Sequence, residues 1–407
     1  MIYAPTERNL VGRGPGTLTT TSEDALFPEA NLFDNIPAKP FRFTSAAADV
    51  IMKKDINALT NPGFETSTLS GWTSGNTGTG TSTETTTAGE FRSGAKACEM
   101  TGTNSSNYGA RYQEITVYAG EAWKLDAWAR AIGSGTARIY IQNRSTGKYL
   151  TTGSAWQSAS TWAATTSSTS YTNLTNTFTI ESFEAAQQDE MTLRITLYCE
   201  AGNVAFDDCL MLPGVNMTAV AGHNCGPISP VLASSDDDSA YTTRLSPTLR
   251  RPTFYSSEST TRYHRYWRLT YTGTNLSPIY VGEWFLGRGV SPSAAQEYGW
   301  TTNWSYRQVR HETAGGETYR YGISPEPVRT YELTIQSTSD TERQEVINDM
   351  FRVTRGGEMP LLLVPYDGEP EVVIGLLDTE LSSSRETLLV SGADLTLVEL
   401  PLPVVGL

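Results

Sequence analysis

Strict alternation of apolar and polar residues constrains this chain more than any other feature. Trp123-Lys124-Leu125-Asp126-Ala127-Trp128, Arg138-Ile139-Tyr140-Ile141-Gln142 and Thr192-Leu193-Arg194-Ile195-Thr196-Leu197-Tyr198 each switch character at every residue. That spacing puts one side of a strand in a core and the other in water. Gly, Ser, Thr and Asn separate such runs from Asn61 to Pro213, as the turns of an antiparallel sheet require. The expected outcome for this stretch is an all-β sandwich.

Parity also sorts the side chains. Trp123, Leu125 and Ala127 share the core face, so Lys124, Asp126, Trp128 and Arg130 point outward. The same count buries Ile139 and Ile141 and turns out Arg138, Tyr140 and Gln142; on the third run it turns out Arg194 and Tyr198. Trp128, Tyr140, Gln142, Arg194 and Tyr198 are therefore expected to line one concave sheet. Aromatic faces stack on the C–H face of a pyranose, and planar polar groups bond its hydroxyls. Aromatics on a polar face also mark protein interfaces, which is the alternative use of this set. Trp72, Trp156 and Trp162 lie in Ser/Thr-rich, loop-like sequence, where an exposed indole is a candidate binding platform.

Composition narrows the partners. Of 407 residues, 30 are Lys or Arg and 44 Asp or Glu, for a formal charge of −14, which disfavours nucleic acid. The length allows two to four domains at the order of 100 to 150 residues each. The start, Met1-Ile2-Tyr3-Ala4-Pro5, has no basic or apolar leader pattern, and no apolar run approaches the ~20 residues of a membrane helix. The expectation is a protein without a secretory signal that does not insert into membranes. Cys98, Cys199, Cys209 and Cys225 lack zinc-site spacing; Cys199 and Cys209 fall on neighbouring predicted strands and read as buried free thiols.

Two ends frame the alternating stretch: Asn61-Pro62-Gly63-Phe64-Glu65 with Gly71-Trp72, and Phe206-Asp207-Asp208-Cys209-Leu210-Met211-Leu212. With Trp123 to Trp128 between them, this order resembles carbohydrate-binding modules of the family 4, 9 and 22 type. The resemblance implies a β-jelly roll over residues 59–213 that binds saccharide. It also implies a structural Ca²⁺ held near the first and last strands, with Glu65, Asp207 and Asp208 at the matching positions. Oxygen donors of this kind suit that ion; turn and cap carboxylates are the other reading of the same residues.

Sequence on either side of this stretch shares a different pattern. Asn31-Leu32-Phe33-Asp34, Gly222-His223-Asn224, Ser234-Ser235-Asp236-Asp237, Tyr266-Trp267-Arg268-Leu269 and Gly282-Glu283-Trp284-Phe285-Leu286-Gly287 resemble a discoidin-like β-sandwich of phage tail proteins. Residues 21–58 and 214–290 would form it, with the jelly roll inserted in a surface loop, a cheap insertion because chain ends of a domain lie close together. Residues 1–20, with Gly12, Gly14, Pro15 and Gly16, read as an extended arm with little core of its own, laid on a neighbouring subunit.

From residue 291 the character changes again. Arginines punctuate the runs Tyr306 to Arg310 and Val328 to Ile335. Ser339-Asp340-Thr341-Glu342 then forms a capping box for one helix with an apolar stripe of Val346, Ile347, Met350 and Phe351. Strands follow at Pro360 to Tyr366, Glu371 to Leu377 and Leu395 to Leu400. This order resembles the tube-like domain of distal and minor tail proteins in long-tailed phages, which assembles into rings through strand edges.

The expected fold is thus mainly β: a β-sandwich with an inserted β-jelly roll, followed by a C-terminal α+β domain (291–407) with one helix. The expected function is a virion tail-tip component that forms a homo-oligomeric ring, contacts the tube, tape-measure and hub proteins, and presents the jelly roll to host-surface saccharides. The alternative is a free glycan-binding module or accessory protein of a polysaccharide-degrading system. No catalytic set is expected: Asp236-Asp237-Asp238 with its neighbouring serines reads as a solvated turn, and His223, His264 and His311 have neither metal spacing nor a nucleophile motif.

Overall fold

The computed structural model describes residues 2–13, 16–21, 23, 25–26, 28–34, 41–43, 49–66, 69–221, 230–245, 253–272, 279–291, 301–305, 308–312, 318–322, 328–337, 339–364, 372–378, 382–385 and 391–400. It is mainly β, with sandwich sheets and a few short helices. The Gly222-His223-Asn224 turn and Cys225 lie outside the described residues.

Two strands dominate the alternating stretch, Ala122–Asn143 and Glu190–Pro213. They pair antiparallel along their whole length, from Leu193↔Asn143 to Pro213↔Trp123, with register shifts between Cys199 and Val204. Such bulges bend a strand, and here they divide the ten-stranded sheet into two halves. In one half Glu190–Pro213 is flanked by Gly109–Tyr118, and Ala122–Asn143 by Ala164–Thr166. In the other the flanking strands are Ala97–Gly102 and Thr172–Thr179. Leu125, Ala127 and Ala129 from one half and Ile139, Ile141, Leu193, Ile195 and Leu197 from the other enter a single core, so the two halves close over one interior. The side-chain alternation inferred from parity holds over residues 122–131 and 137–143 of the first strand and 190–200 of the second, and breaks where the register shifts.

Both ends of this body meet. Ala58 N–H donates to the Met211 carbonyl, and Gly214 N–H to that of Ala122. The sequence outside forms a second core. Val50–Asp55 pairs with Tyr266–Tyr271 in a five-stranded sheet, and Val215–Ala221 lies between Thr253–Arg262 and Glu283–Gly287 in a three-stranded one. Strands from before and after the jelly roll thus complete one another.

The third unit is a seven-stranded sheet built on Val328–Ser337 and Ser391–Glu399. One face, with Leu361, Leu363, Val373 and Leu397, packs on Val346 and Met350. The opposite face, with Leu362, Val364 and Ile374, packs on Met217, Ala219 and Phe285 of the three-stranded sheet.

Two expectations change here. Residues 1–20 are not a free arm: Ile2–Pro5 is an edge strand on Leu361–Val364, Tyr3 and Ala4 are fully buried on its two faces, and Leu18–Thr20 pairs with Val50–Asp55. The apolar pair Tyr3-Ala4 fits a strand buried on both sides. The C-terminal helix, Asp340–Ile347, begins as expected with Glu342 N–H donating to Ser339 Oγ. It continues as a π-helix over Asn348–Val353. In that wider turn Phe351 is exposed to solvent while Met350 and Val353 are buried. A separate single helical turn, Phe183–Ala186, lies in the jelly roll and is capped by Ser182.

Candidate functional site

The half of the jelly roll formed by Gly109–Tyr118, Glu190–Pro213 and Ala122–Asn143 carries a polar, aromatic outer face. Register aligns three rows across it: Glu114, Arg194 and Gln142; Tyr112, Thr196 and Tyr140; Ala110, Tyr198 and Arg138. Four of the five residues expected on one sheet therefore come together, namely Tyr140, Gln142, Arg194 and Tyr198.

Rings interlock in this face. Tyr140 and Tyr198 meet edge to face at 5.2 Å between centroids, Tyr108 lies 4.7 Å from Tyr198, and Tyr149 lies 6.5 Å from Tyr140. Burial, with Glu200 and the neighbouring tyrosines, pushes the Tyr198 phenol up to about 12, and burial raises that of Tyr140. Both stay protonated at neutral pH and can donate as well as accept. Each arginine is held by a carboxylate: Arg194 donates through Nε and Nη2 to Glu114 Oε1 at 2.9 and 2.7 Å while its guanidinium covers Tyr112 at 4.2 Å. Arg138 pairs with Glu200 and lies over the Trp162 ring at 4.5 Å. Arg144 Nη1 donates to Gln142 Oε1 at 3.1 Å. This fixed array of ring edges, phenols, an amide and paired guanidiniums has the chemistry to bind hydroxyl-rich ligands.

Trp128 is not part of it. Its parity is outward, but it faces Asn173 and Asp207 in the other half of the sheet, beyond the bulge, and the Arg92 guanidinium lies over its ring at 3.9 Å. Parity along a strand reports the face, whereas the bend at the bulge decides which part of the body that face belongs to. Among the loop tryptophans, Trp72 is buried against Phe64. Trp156 packs edge-on to Phe178 and donates to the Thr179 carbonyl. Tyr108, Tyr112, Tyr149 and Trp162 join this face in addition to the residues expected there. For Tyr112 the parity count on Gly109–Tyr118 carries the signal, while Trp162 depends on which strand its loop crosses.

Glu65, Asp207 and Asp208 converge on one loop, residues 92–96. Glu65 accepts from the amides of Ala95 and Lys96. Asp207 Oδ2 accepts from the amides of Arg92 and Ser93, and Asp208 pairs with Arg92 Nη1 at 2.6 Å and accepts from Ser93 Oγ. A Cβ on Gly94 would collide with Glu65 Oε1 at 2.0 Å. N–H donors thus meet the oxygens that a cation would need, and among the described residues no group of three or more His, Cys, Asp or Glu could hold a metal. The set does not fit a calcium shell in this arrangement; it fits an anchor for the loop that covers Trp128. Asp236 to Asp238 form a surface turn, with Asp237 accepting from Ser239 and Ala240 and Asp238 paired with Lys53.

Nothing among curated proteins matches the chain. Among solved structures, it is similar to the enzymatically active domain of bacteriophage CBA120 tailspike protein 4, at 14% identity and TM-score 0.28 over 38% of this chain; the match spans 21% of that domain. TmCBM61 in complex with β-1,4-galactotriose matches at 16% identity and TM-score 0.26, over 38% of this chain and 97% of its own. The CBM22-1 xylan-binding domain of Paenibacillus barcinonensis Xyn10C matches at 13% and 0.27, over 37% and 89%. Residues 57–197, roughly a third of the chain, match the family model described as carbohydrate binding domain, over the inserted stretch that bears the tyrosine face.

Proposed function

We propose that the chain is a structural protein of a bacteriophage tail tip that forms a ring and uses its inserted module to hold host-surface saccharides. The observation that carries the saccharide part is the outer face where Tyr140, Tyr198, Gln142 and Arg194 stand together within the stretch matched by the carbohydrate-binding family. The protein binds sugar and does not cleave it: the carboxylates of this face, Glu114 and Glu200, are each committed to an arginine, which suits them to position donors.

Support for assembly comes from the C-terminal sheet. Among the described residues Thr301–Ser305 pairs on one side only, with Val328–Ser337, and Trp304 on it is 63% exposed. A strand edge beside an exposed indole is a ready pairing surface for another subunit. The virion location and the contacts with tube, tape-measure and hub proteins belong to this same reading.

Calorimetric titration of the full chain with host-surface polysaccharide tests the first part; Tyr140→Ala with Tyr198→Ala is expected to abolish binding, and unchanged affinity would refute the site. Negative-stain electron microscopy tests the second. Closed rings with peripheral lobes are expected, and uniform monomers that also fail to ring on tail-tube ends would refute it.

A further inference from the structure

Resting on the saccharide-binding reading above, we propose that Trp162 and the hydroxyl-bearing residues around it form a second sugar subsite continuous with the tyrosine face. The module then takes an internal stretch of an uncharged saccharide chain rather than one terminal unit.

The register places the parts in a line. Tyr198 lies opposite Arg138, and Arg138 lies opposite Thr165 on the next strand. Neighbouring strands are ~4.8 Å apart, so Thr165 stands about 10 Å from Tyr198 across the outer face, farther than one pyranose ring reaches. An open cleft of about 690 Å³ occupies this end, lined by Thr136, Arg138, Trp162, Thr165, Thr166 and Ser168 among others. Hydroxyls here supply donors and acceptors, and the indole supplies the apolar plane.

Trp162 has no core role that would explain it. Its neighbours Ala163 and Ala164 belong to the jelly-roll core, as does Trp156 at its margin, whereas Trp162 does not. It stays half-buried, covered on one side by the Arg138 guanidinium at 4.5 Å. Glu200 holds that guanidinium in turn, so the indole is set in place before any ligand arrives, which lowers the ordering cost of binding. Ion pairing governs the choice of ligand as well. Arg138 and Arg194 each already face a carboxylate, so an anionic sugar would have to displace Glu200 or Glu114, whereas an uncharged one leaves both pairs intact.

The test is calorimetric titration of the full chain with β-1,4-linked xylo-, gluco- and galacto-oligosaccharides of two to six units, and with oligogalacturonate as the anionic probe. For the neutral series that binds, affinity is expected to rise with length. Trp162→Ala is expected to weaken the six-unit ligand about tenfold while leaving the two-unit ligand unchanged, and Trp162→Phe to restore most of the loss. Trp162→Ala that binds every length as the parent does, with Tyr140→Ala and Tyr198→Ala together still abolishing binding, would overturn the subsite alone. Preference for oligogalacturonate would overturn the uncharged ligand. Absence of binding to every probe, and to host polysaccharide, would instead overturn the reading on which the proposal rests.

Discussion

Arg8 Nη1 lies 2.9 Å from Asp349 Oδ1, with both side chains almost wholly buried, although 341 positions of chain separate them. Its Nη2 also lies 2.5 Å from Asp189 Oδ1. One guanidinium near the N-terminus thereby joins the jelly roll, which supplies Asp189, to the C-terminal π-helix, which supplies Asp349. Burial opposes its charge, but the two aspartates more than offset that and push its pKa above the usual arginine range. Around it, Arg352 lies over Phe183 at 4.0 Å, and Arg13 pairs with Glu121 at 2.6 Å.

Removing one member of a buried ion cluster leaves the others uncompensated, at about 3–5 kcal/mol. Arg8→Met is therefore expected to destabilise the protein by that amount. It should also split a single calorimetric unfolding transition into two, as the jelly roll loses its tie to the rest. One transition with an unchanged midpoint would contradict this.

Asp207 makes stability depend on pH. Burial pushes its carboxyl up from 3.8 to about 6, despite the amide bonds from Ser93 and Arg92. Between these two values the folded protein binds a proton that the unfolded chain has released, so the linkage slope is negative. Stability is expected to be highest at the acid end of that window and to fall as pH rises from about 4 to about 6. Urea titrations across the window should show this slope, and Asp207→Asn should remove its share.

With amide donors already on Glu65 and Asp207, excess chelator is expected to leave the Tm unchanged, and added Ca²⁺ to leave it unchanged as well. A rise of several degrees with Ca²⁺ would mean that loop 92–96 rearranges to expose carbonyls.

Thiol chemistry follows the same burial. Cys98 is pushed up to about 12 and Cys199 to about 11, chiefly by burial, and Cys209 rises well above its ordinary value. All three are free and buried. Maleimide at pH 7 is expected to leave them unmodified in the native protein and to label them in denaturant, as read by peptide mass spectrometry.

How much of this was legible follows from the range of each signal. A two-residue repeat is local, so Leu125, Ala127, Ile139 and Leu193 could be placed in the core and Tyr140, Gln142, Arg194 and Tyr198 on the outer face from the chain alone. Trp128 shows where that reasoning stops, because its separation from Tyr140 depends on a bulge in the partner strand. Tyr3 and Ala4 show the same limit in another form: four residues carry too short a pattern to reveal a strand whose partner, Leu361–Val364, is nearly the whole chain away. Phe351 kept its place in an α-helical stripe only so long as the helix had ordinary pitch.

The bulge itself yields the last prediction. Gly202 sits at φ +80°, a region open chiefly to glycine, and a Cβ there would stand 1.9 Å from the Ser134 carbonyl oxygen. Neither backbone can retreat, since Gly202 pairs with Gly135 on one side and Gly102 on the other. Gly202→Ala is expected to cost roughly 2 kcal/mol or more, read as a lower urea midpoint. Tyr198 and Glu200 lie just before this bend, and Glu200 holds the Arg138 that covers Trp162. The same substitution should therefore weaken saccharide binding at temperatures where the protein is still fully folded. Destabilisation with undiminished affinity would show that the tyrosine face is set by its own strands and not by the bend.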